Sequence, residues 1–171
     1  MNAIVKAGES DAKLLAEIGR QSFIESHGNS ASASDINRYV NDTYSEEAIR
    51  AELYVKKNLC HILYHGEHCA GYSKIILNAS HQNIDKPDVT KLDRLYLLKE
   101  FHGRGLGYEL LNFNIELSVK NDQSGMWLFV WKENHRAVSF YERTGFRIIG
   151  SHDFRISETH TNPNHQMLRT Y

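Results

Sequence analysis

Three glycines within five residues form the part of this sequence with the clearest chemical potential. Gly103, Gly105 and Gly107 follow an apolar run at about residues 89–98, and a helical pattern begins after Gly105. Glycine lets the backbone approach a ligand closely, and a helix N-terminus offers unpaired N–H groups with a partial positive charge. A strand, a glycine turn and a helix N-terminus together predict a binding site for an anion such as phosphate.

Two familiar phosphate-binding motifs do not match these glycines. A P-loop requires G-x-x-x-x-G-K-[ST], and the chain has no such run. A dinucleotide fingerprint requires G-x-G-x-x-G after the first strand of a βαβ unit, whereas Tyr108 holds the last glycine position and the strand is the fourth. A tight connection without a ligand is the structural alternative, although each glycine that becomes helical costs roughly 1 kcal/mol.

The glycine turn and a later block resemble the GNAT superfamily of N-acetyltransferases. Residues 102–107 resemble its acetyl-CoA signature [Q/R]-x-x-G-x-[G/A], with His102 in place of the usual Gln or Arg, and residues 94–97 resemble its R-L-Y-V strand. Residues 134–146 resemble its N-x-x-A-x-x-F-Y-x-x-x-G-F block. The resemblance covers about residues 4–155, and residues 126–150 are most similar to the PaiA-like spermidine/spermine N-acetyltransferases.

The resemblance implies that acetyl-CoA binds along the fourth strand and the glycine turn. Backbone groups of residues 96–98 would hold the pantetheine amides, and His102 would donate a hydrogen bond to phosphate. Asn134 is expected near the pantetheine arm and Arg143 near a phosphate, with a solvated helix face as the alternative for Arg143. The expected cofactor-binding residues are Leu95, Tyr96, Leu97, Leu98, His102, Gly103, Arg104, Gly105, Leu106, Gly107, Tyr108, Asn134, Arg136, Tyr141 and Arg143.

Tyr141 is the candidate general acid. A phenol with a pKa of about 10 can protonate a thiolate of similar basicity. The resemblance places this tyrosine near the coenzyme sulfur, and a packing role on a short helix is the alternative. A backbone N–H around Leu97 is the candidate donor to the carbonyl oxygen on which charge develops.

Asp93 is the candidate general base. In the polyamine acetyltransferases that this chain resembles, an acidic residue at this position is assigned to deprotonation of the amine. Strand alternation places Asp93 on the same side as Leu95, which predicts that its carboxylate points at the cleft. The alternative is an aspartate that is ion-paired across the sheet with Lys91 or Arg94.

The pattern of elements predicts an α/β fold with one domain over residues 1–171. The resemblance implies a GNAT fold, in which a mixed, mostly antiparallel sheet of about seven strands is flanked by about four helices and splayed at strands 4 and 5. Residues 125–131 predict a strand buried on both faces, and residues 166–169 predict the last strand. The buried face of the helix after Gly105 is predicted to comprise Leu106, Leu110, Leu111, Phe113 and Leu117.

The overall composition excludes several classes of function. The chain has 171 residues, of which 24% are charged, and its net charge of -1 does not indicate binding to nucleic acid or an anionic membrane. No apolar run approaches the roughly 20 residues of a membrane helix, and residues 1–6 do not resemble a signal peptide. Cys60 and Cys69 are expected to be reduced thiols in a cytoplasmic protein. The histidine spacing predicts no metal site.

These features predict a cytoplasmic N-acetyltransferase that transfers acetyl from acetyl-CoA directly to a primary amine. By resemblance the expected acceptor is a polyamine, spermidine or spermine, although residues 25–57 are only slightly acidic. Protein N-termini and other small amines are alternative acceptors. A non-catalytic acyl-CoA sensor is the alternative from another functional class. The sequence leaves open whether the protein forms a homodimer.

Overall fold

The computed structural model describes residues 1–171. Its helices and strands are β1 (Asn2–Lys6), α1 (Ala12–His27), α2 (Ala33–Thr43), α3 (Glu46–Tyr54), β2 (Asn58–His65), β3 (His68–Ile76), β4 (Thr90–Leu97), α4 (Leu106–Lys120), β5 (Gly125–Trp131), α5 (His135–Arg143), β6 (Arg147–Arg155) and β7 (Thr161–Thr170). Five α-helices are present, against about four predicted, and Ser32 and Ser45 cap the two separate helices that follow α1. None of the helices combines the length and the apolar character needed to cross a membrane.

The seven strands form one mixed sheet in the order β1-β2-β3-β4-β5-β7-β6. Every neighbouring pair is antiparallel except β4 and β5, which are parallel. These two strands pair only at Thr90 with Met126 and at Lys91 with Trp127, and then they diverge. The predicted mixed sheet, its seven strands and its splay at strands 4 and 5 are therefore confirmed.

The middle of the sheet is covered on both faces. In β5, Met126, Leu128 and Val130 are buried in a cluster with Leu111 and Phe146, whereas Trp127 belongs to a separate apolar cluster. Side chains of a strand alternate between the two faces of a sheet, so β5 needs apolar residues at almost every position. The strand that the sequence predicts at residues 125–131 is confirmed with the same bounds.

Helix α4 buries Leu106, Leu110 and Leu111 as predicted, but its buried face differs from the prediction in its second half. Asn114 and Ser118 are fully buried, whereas Phe113 and Leu117 are only half-buried. Asn114 Oδ1 accepts a hydrogen bond of 3.2 Å from the Ser73 hydroxyl of β3, and the Ser118 hydroxyl lies 2.7 Å from that of Thr90 in β4. These buried polar pairs turn α4 relative to its apolar stripe and hold it against the two strands.

Strand β7 begins five residues earlier than predicted, at Thr161 rather than at Gln166. The side chains that this strand buries at its start are the amides of Asn162, Asn164 and Gln166, which occupy alternate positions. An apolar pattern cannot reveal a strand whose buried face is polar. The three amides therefore form a row along one face of the sheet.

Candidate active site

The main cleft of the molecule includes the gap between β4 and β5. It has a volume of about 890 Å³ and is lined by residues of α1, α2, β4, the glycine turn, α4, β5, α5, β6 and β7. Because the two strands stop pairing after Lys91, part of the β4 backbone faces this space instead of a neighbouring strand. The cleft is therefore bordered both by side chains and by backbone groups.

The glycine turn closes one end of the cleft with unpaired N–H groups. Gly103 and Gly105 both have φ of 78°, which favours glycine, and the space beside each Cα is open. No side chain caps α4, and the first intrahelical bond is donated by Glu109 N to Gly105 O. The N–H groups of residues 106–108 therefore have no partner in the helix and can hold an anion.

One edge of β4 presents backbone groups to the gap. Leu98 N donates a hydrogen bond of 3.0 Å to Ala70 O in β3. Hydrogen-bonding groups of successive residues in a strand point to opposite sides, so the N–H and C=O of Leu97 point away from β3 and into the gap. Leu97 N–H is therefore available to a ligand, whereas the N–H of Leu98 is not.

Both ring nitrogens of His102 already have partners within the protein. Nε2 donates to Leu97 O at 2.9 Å, and Nδ1 accepts from the guanidinium of Arg136. A carbonyl only accepts and a guanidinium only donates, so these bonds select the neutral ring with its proton on Nε2. Burial lowers the pKa of His102, and the charge of Arg136 lowers it further. The expected hydrogen bond from His102 to phosphate is thus replaced by a contact that positions Arg136.

Tyr141 lies on α5 with its side chain half-buried at the cleft. Its ring packs edge-on against Phe140 and Phe146, with centroid distances of 5.2 and 5.5 Å. Burial, together with the nearby Tyr96 hydroxyl, raises the pKa of Tyr141 well above its usual value. The phenol therefore stays protonated at neutral pH and can act as an acid.

Asp93 occupies a bulge in β4. Lys74 of β3 pairs with Arg94, but the next residue, Ile75, pairs with Leu92, so Asp93 is the extra residue. The bulge breaks strand alternation, and Asp93 and Arg94 both reach the face of the sheet that carries Lys74. The parity that the sequence suggests between Asp93 and Leu95 is therefore wrong, although Asp93 does line the cleft.

The Asp93 carboxylate belongs to a network of five charged groups. Asp93 Oδ1 lies 2.8 Å from Lys91 Nζ, and Oδ2 lies 3.1 Å from Lys74 Nζ. Glu52 of α3 contacts the same Lys74 and receives two hydrogen bonds from Arg94, of 2.7 and 2.9 Å. Burial alone would raise the pKa of Asp93, but the positive charges of Lys91, Lys74 and Arg94 outweigh it and hold the pKa well below its usual range.

The cleft brings together most of the residues that the sequence predicts for the site. Asp93, Tyr141 and the expected cofactor-binding residues all line it except Leu98 and Arg104. Leu98 is buried in the core. The Arg104 guanidinium lies over the Phe101 ring, 5.7 Å from its centroid.

A second part of the cleft, which we call the aromatic end, carries no motif in the sequence. Its rings are in contact one after another, with centroid distances of 5.8 Å for Tyr39–Phe154, 4.7 Å for Phe23–Tyr39, 4.6 Å for Phe23–His27 and 5.5 Å for His27–Trp131. Asn164 also lines the cleft, paired with Trp131 across β5 and β7. These residues come from α1, α2, β5, β6 and β7, so no local pattern could have indicated them.

The family model for the acetyltransferase (GNAT) family matches residues 27–146 of this chain. An uncharacterized N-acetyltransferase in the pepI 3' region of Lactobacillus delbrueckii subsp. lactis is 29% identical over 156 residues, which cover 91% of this chain and 90% of that protein. The probable spermine N(1)-acetyltransferase of Bacillus subtilis subsp. natto is 28% identical over 93 residues, which cover 54% of this chain and 61% of that protein.

The fold is also similar to that of a solved structure. The PaiA N-acetyltransferase from Thermoplasma acidophilum, crystallised in complex with coenzyme A, matches with a TM-score of 0.81 and 22% sequence identity, and the match covers 100% of this chain and 99% of that one. The chain belongs to the acetyltransferase (GNAT) family. With this family it is an N-acetyltransferase that takes its acetyl group from acetyl-CoA.

The residues at the glycine turn fit coenzyme A. The free N–H groups of residues 106–108 suit its pyrophosphate, and Arg136 and Arg143, which line the cleft, would supply cations for its phosphates. The N–H of Leu97 at the unpaired edge of β4 suits an amide or carbonyl oxygen of the acyl-pantetheine arm.

Proposed function

We propose that this protein transfers an acetyl group from acetyl-CoA directly to a primary amine. The observation that carries the proposal is that Asp93 and Tyr141 line the same cleft as the glycine turn and the unpaired edge of β4. Acetyl-CoA supplies the activated thioester. The protein supplies a hydrogen-bond donor for the acetyl oxygen, a proton for the departing thiolate and a binding site for the amine.

Tyr141 is the general acid of the proposed reaction. The phenol is protonated at neutral pH and can donate to the basic leaving thiolate, and burial, which raises its pKa, makes it a weaker acid than a free phenol. The N–H of Leu97 is the donor to the acetyl oxygen, because it points into the gap and has no strand partner there. Asn134 Oδ1 accepts from Ala137 N and so fixes the start of α5, the helix that carries Tyr141.

Asp93 is the proposed base, acting on the amine directly or through a water molecule. It is ionised at neutral pH, as a base must be. Its ion pairs with Lys91 and Lys74 lower its basicity. It can therefore accept the proton only as the amine nitrogen bonds to the acetyl carbon and becomes more acidic. A base of this kind assists the transfer rather than driving it.

A cysteine intermediate has no support. Neither Cys60 nor Cys69 lines the cleft. Burial raises the pKa of the Cys60 thiol to about 11 and also raises that of Cys69, which disfavours the nucleophilic thiolate. Both cysteines are free thiols. The proposal does not require a homodimer, since every residue named for the reaction lies in one chain.

For the acceptor we propose a polyamine, spermidine or spermine, as the first candidate. Its support is the similarity to the probable spermine N(1)-acetyltransferase of Bacillus subtilis subsp. natto. Another small amine is the second candidate, favoured by the pairing of carboxylates in the cleft. Asp93 is held by two lysines, and Glu25 accepts from Lys99 N and from Gln21. A polycation benefits most from carboxylates that are free to pair with it.

A screen of amines with acetyl-CoA tests the proposal. Spermidine, spermine, diamines, small monoamines and peptides with free N-termini are each incubated with the protein, and release of the coenzyme thiol is followed together with the mass of the product. Acetylation of at least one amine is the expected result. If a peptide or a monoamine is acetylated and neither spermidine nor spermine is, the polyamine is rejected as the acceptor. Coenzyme A binding without turnover on any amine favours a sensor and rejects the enzyme.

A further inference from the structure

Six buried side-chain atoms in the protein have no hydrogen-bond partner, and two of them belong to residues that line the cleft. These two are Ser22 Oγ and Asn164 Oδ1, on α1 and β7. Asn164 is only 6% exposed. Leaving a buried polar atom unsatisfied costs roughly 1–3 kcal/mol, so a ligand that pairs with such an atom at a binding cleft gains affinity from it.

The amide oxygens of the other two residues of the row on β7 are already engaged, although Gln166 Nε2 is also without a partner. Asn162 Nδ2 donates to Ser30 Oγ at 2.8 Å, and its Oδ1 lies 3.1 Å from His160 Nε2. Gln166 Oε1 accepts from Asn83 Nδ2 at 2.7 Å. Asn164, between them, is therefore the member of the row whose amide oxygen is left for a ligand.

The surroundings of Asn164 define what that ligand must be. Asn164 is paired with Trp131 and its neighbour Asn162 with Phe154, and paired residues lie on the same face of a sheet. Trp131 and Phe154 are the two ends of the chain of rings that runs through His27, Phe23 and Tyr39. The rings and the amide row thus enclose a space with apolar walls and a hydrogen-bond acceptor on its floor.

The aromatic end as defined contains no carboxylate. Its one histidine, His27, is uncharged at neutral pH. Burial lowers the pKa of His27 to about 4. The facing elements contribute the phenol of Tyr39, whose pKa is raised by burial, and the neutral amides of β7. The rings and amides themselves therefore carry no negative charge, and the carboxylates of Glu25 and Glu133 line neighbouring parts of the cleft.

We infer that the aromatic end with Asn164 is the acceptor pocket, and that it selects an amine whose body is apolar or aromatic and carries one hydrogen-bond donor for Asn164 Oδ1. This inference rests on the proposed amine acetylation and, of the two proposed acceptors, favours the small amine over the polyamine. The reactive amino group points to the gap between β4 and β5, while the body of the acceptor lies among the rings. Asn164 is therefore a specificity-determining residue.

Paired substrates test this inference. Tyramine and phenethylamine have the same aromatic body and differ by one hydroxyl, while spermidine is a polycation without a ring. The wild-type protein is expected to prefer tyramine over phenethylamine by about tenfold or more in kcat/KM, because a site built around a polar group rejects a ligand that leaves it unpaired. Asn164→Leu is expected to bring that ratio close to one while the Kd for coenzyme A stays unchanged.

Gln166→Met is the matched control, since it removes a buried amide from the same strand face outside the cleft. It is expected to leave the tyramine preference intact. A preference for spermidine over both aromatic amines, or a tyramine ratio that survives Asn164→Leu, overturns the inference.

Calorimetric titration of each amine into the protein saturated with coenzyme A separates this inference from the proposed function. Tyramine binding that is lost in Asn164→Leu, in a protein that acetylates no amine, upholds the pocket and rejects the enzyme. Acetylation with tyramine binding that is unaffected by Asn164→Leu upholds the enzyme and rejects the pocket. If Asn164→Leu loses coenzyme A binding or its cooperative melt, Asn164→Ser takes its place, because it shortens the side chain while keeping a polar group. Loss of tyramine binding in Asn164→Ser then upholds the pocket, and unaffected tyramine binding rejects it.

Discussion

Replacing Asp93 by Asn separates its role in the reaction from its role in the fold. The substitution keeps the shape of the side chain but removes its charge, so three cations in the network face Glu52 alone. Removing one partner of a buried ion pair costs about 3–5 kcal/mol. The Asp93 side chain is 19% exposed and that of Lys91 is 27% exposed, which places the expected loss at the lower end, about 3 kcal/mol.

This loss is measurable as a shift in the melting temperature. For a chain of this size, 1 kcal/mol corresponds to about 2–4 °C, so Asp93→Asn is expected to melt about 6–12 °C below the wild type at pH 7. The pKa of Asp93 is depressed in the folded protein, so its stabilising effect is complete above the unfolded value of about 4 and is lost as the pH falls below it. The two melting curves should therefore converge in acid. Equal stability at pH 7 would refute the importance of the ion pairs.

A double variant then tests the base. Asp93→Asn combined with Lys91→Met keeps the original excess of one positive charge, with two cations against one anion in place of three against two, and is expected to recover most of the lost stability. If Asp93 is a base, kcat remains reduced in the stable double variant, most strongly at low pH, where the amine is protonated. Recovery of kcat together with stability would show that Asp93 acts only through the fold. Lys91→Met alone is the control for the lost lysine.

Three further substitutions give distinct expected results. Tyr141→Phe is expected to lower kcat about 100-fold or more, the usual contribution of a general acid, while the Kd for coenzyme A stays unchanged in calorimetry. His102→Leu removes the partner of Arg136 and is expected to weaken coenzyme A binding about five- to tenfold, in proportion to one charge-assisted hydrogen bond. His27→Phe is expected to flatten the acid sensitivity of the melting temperature between pH 7 and pH 4. The pKa of His27 is about 4 when folded and 6.5 in its ordinary state, so the wild type loses stability over that interval as the unfolded chain takes up the proton.

Each of these results has its own control. Tyr64→Phe removes a phenol outside the cleft and should leave kcat unchanged, and equal turnover of Tyr141→Phe and wild type across pH would reject the acid. His102→Gln retains a donor and an acceptor and should bind coenzyme A more tightly than His102→Leu. Identical affinities of both His102 variants and the wild type contradict the positioning role. A His27→Phe protein that is as acid-sensitive as the wild type contradicts the burial of a neutral ring.

The cofactor side of the cleft could be predicted because the backbone determines it. The backbone has a positive φ at Gly103, at Gly105 and, after the end of α5, at Gly145, and this conformation favours glycine. The backbone shape of the site is therefore visible in the sequence as glycines at fixed spacings. Side-chain partners were less predictable. His102 has the right position for a phosphate donor, but Leu97 O and Arg136 occupy its two nitrogens, and neither contact follows from spacing alone.

The aromatic end could not be predicted for the opposite reason. Its rings and its amide lie on five elements that are separated by most of the chain, and they meet only after the sheet has formed. Asn162 and Asn164 are polar residues on a buried strand face, and Pro163 stands between them, so the segment resembles a loop. A strand of this kind is recognised from its partners rather than from its own residues.

The bulge at Asp93 connects the charged network to the opening of the cleft. β4 pairs with β5 at Thr90 and Lys91, the extra residue follows at Asp93, and beyond it the two strands are apart. A bulge bends its strand and increases the local twist, so it directs the rest of β4 away from β5. Two consecutive side chains, Asp93 and Arg94, can reach the same face only at such a bulge, where Lys74 and Glu52 hold them. The ion pairs that lower the basicity of Asp93, the proposed base, therefore also stabilise the bulge beyond which β4 and β5 part.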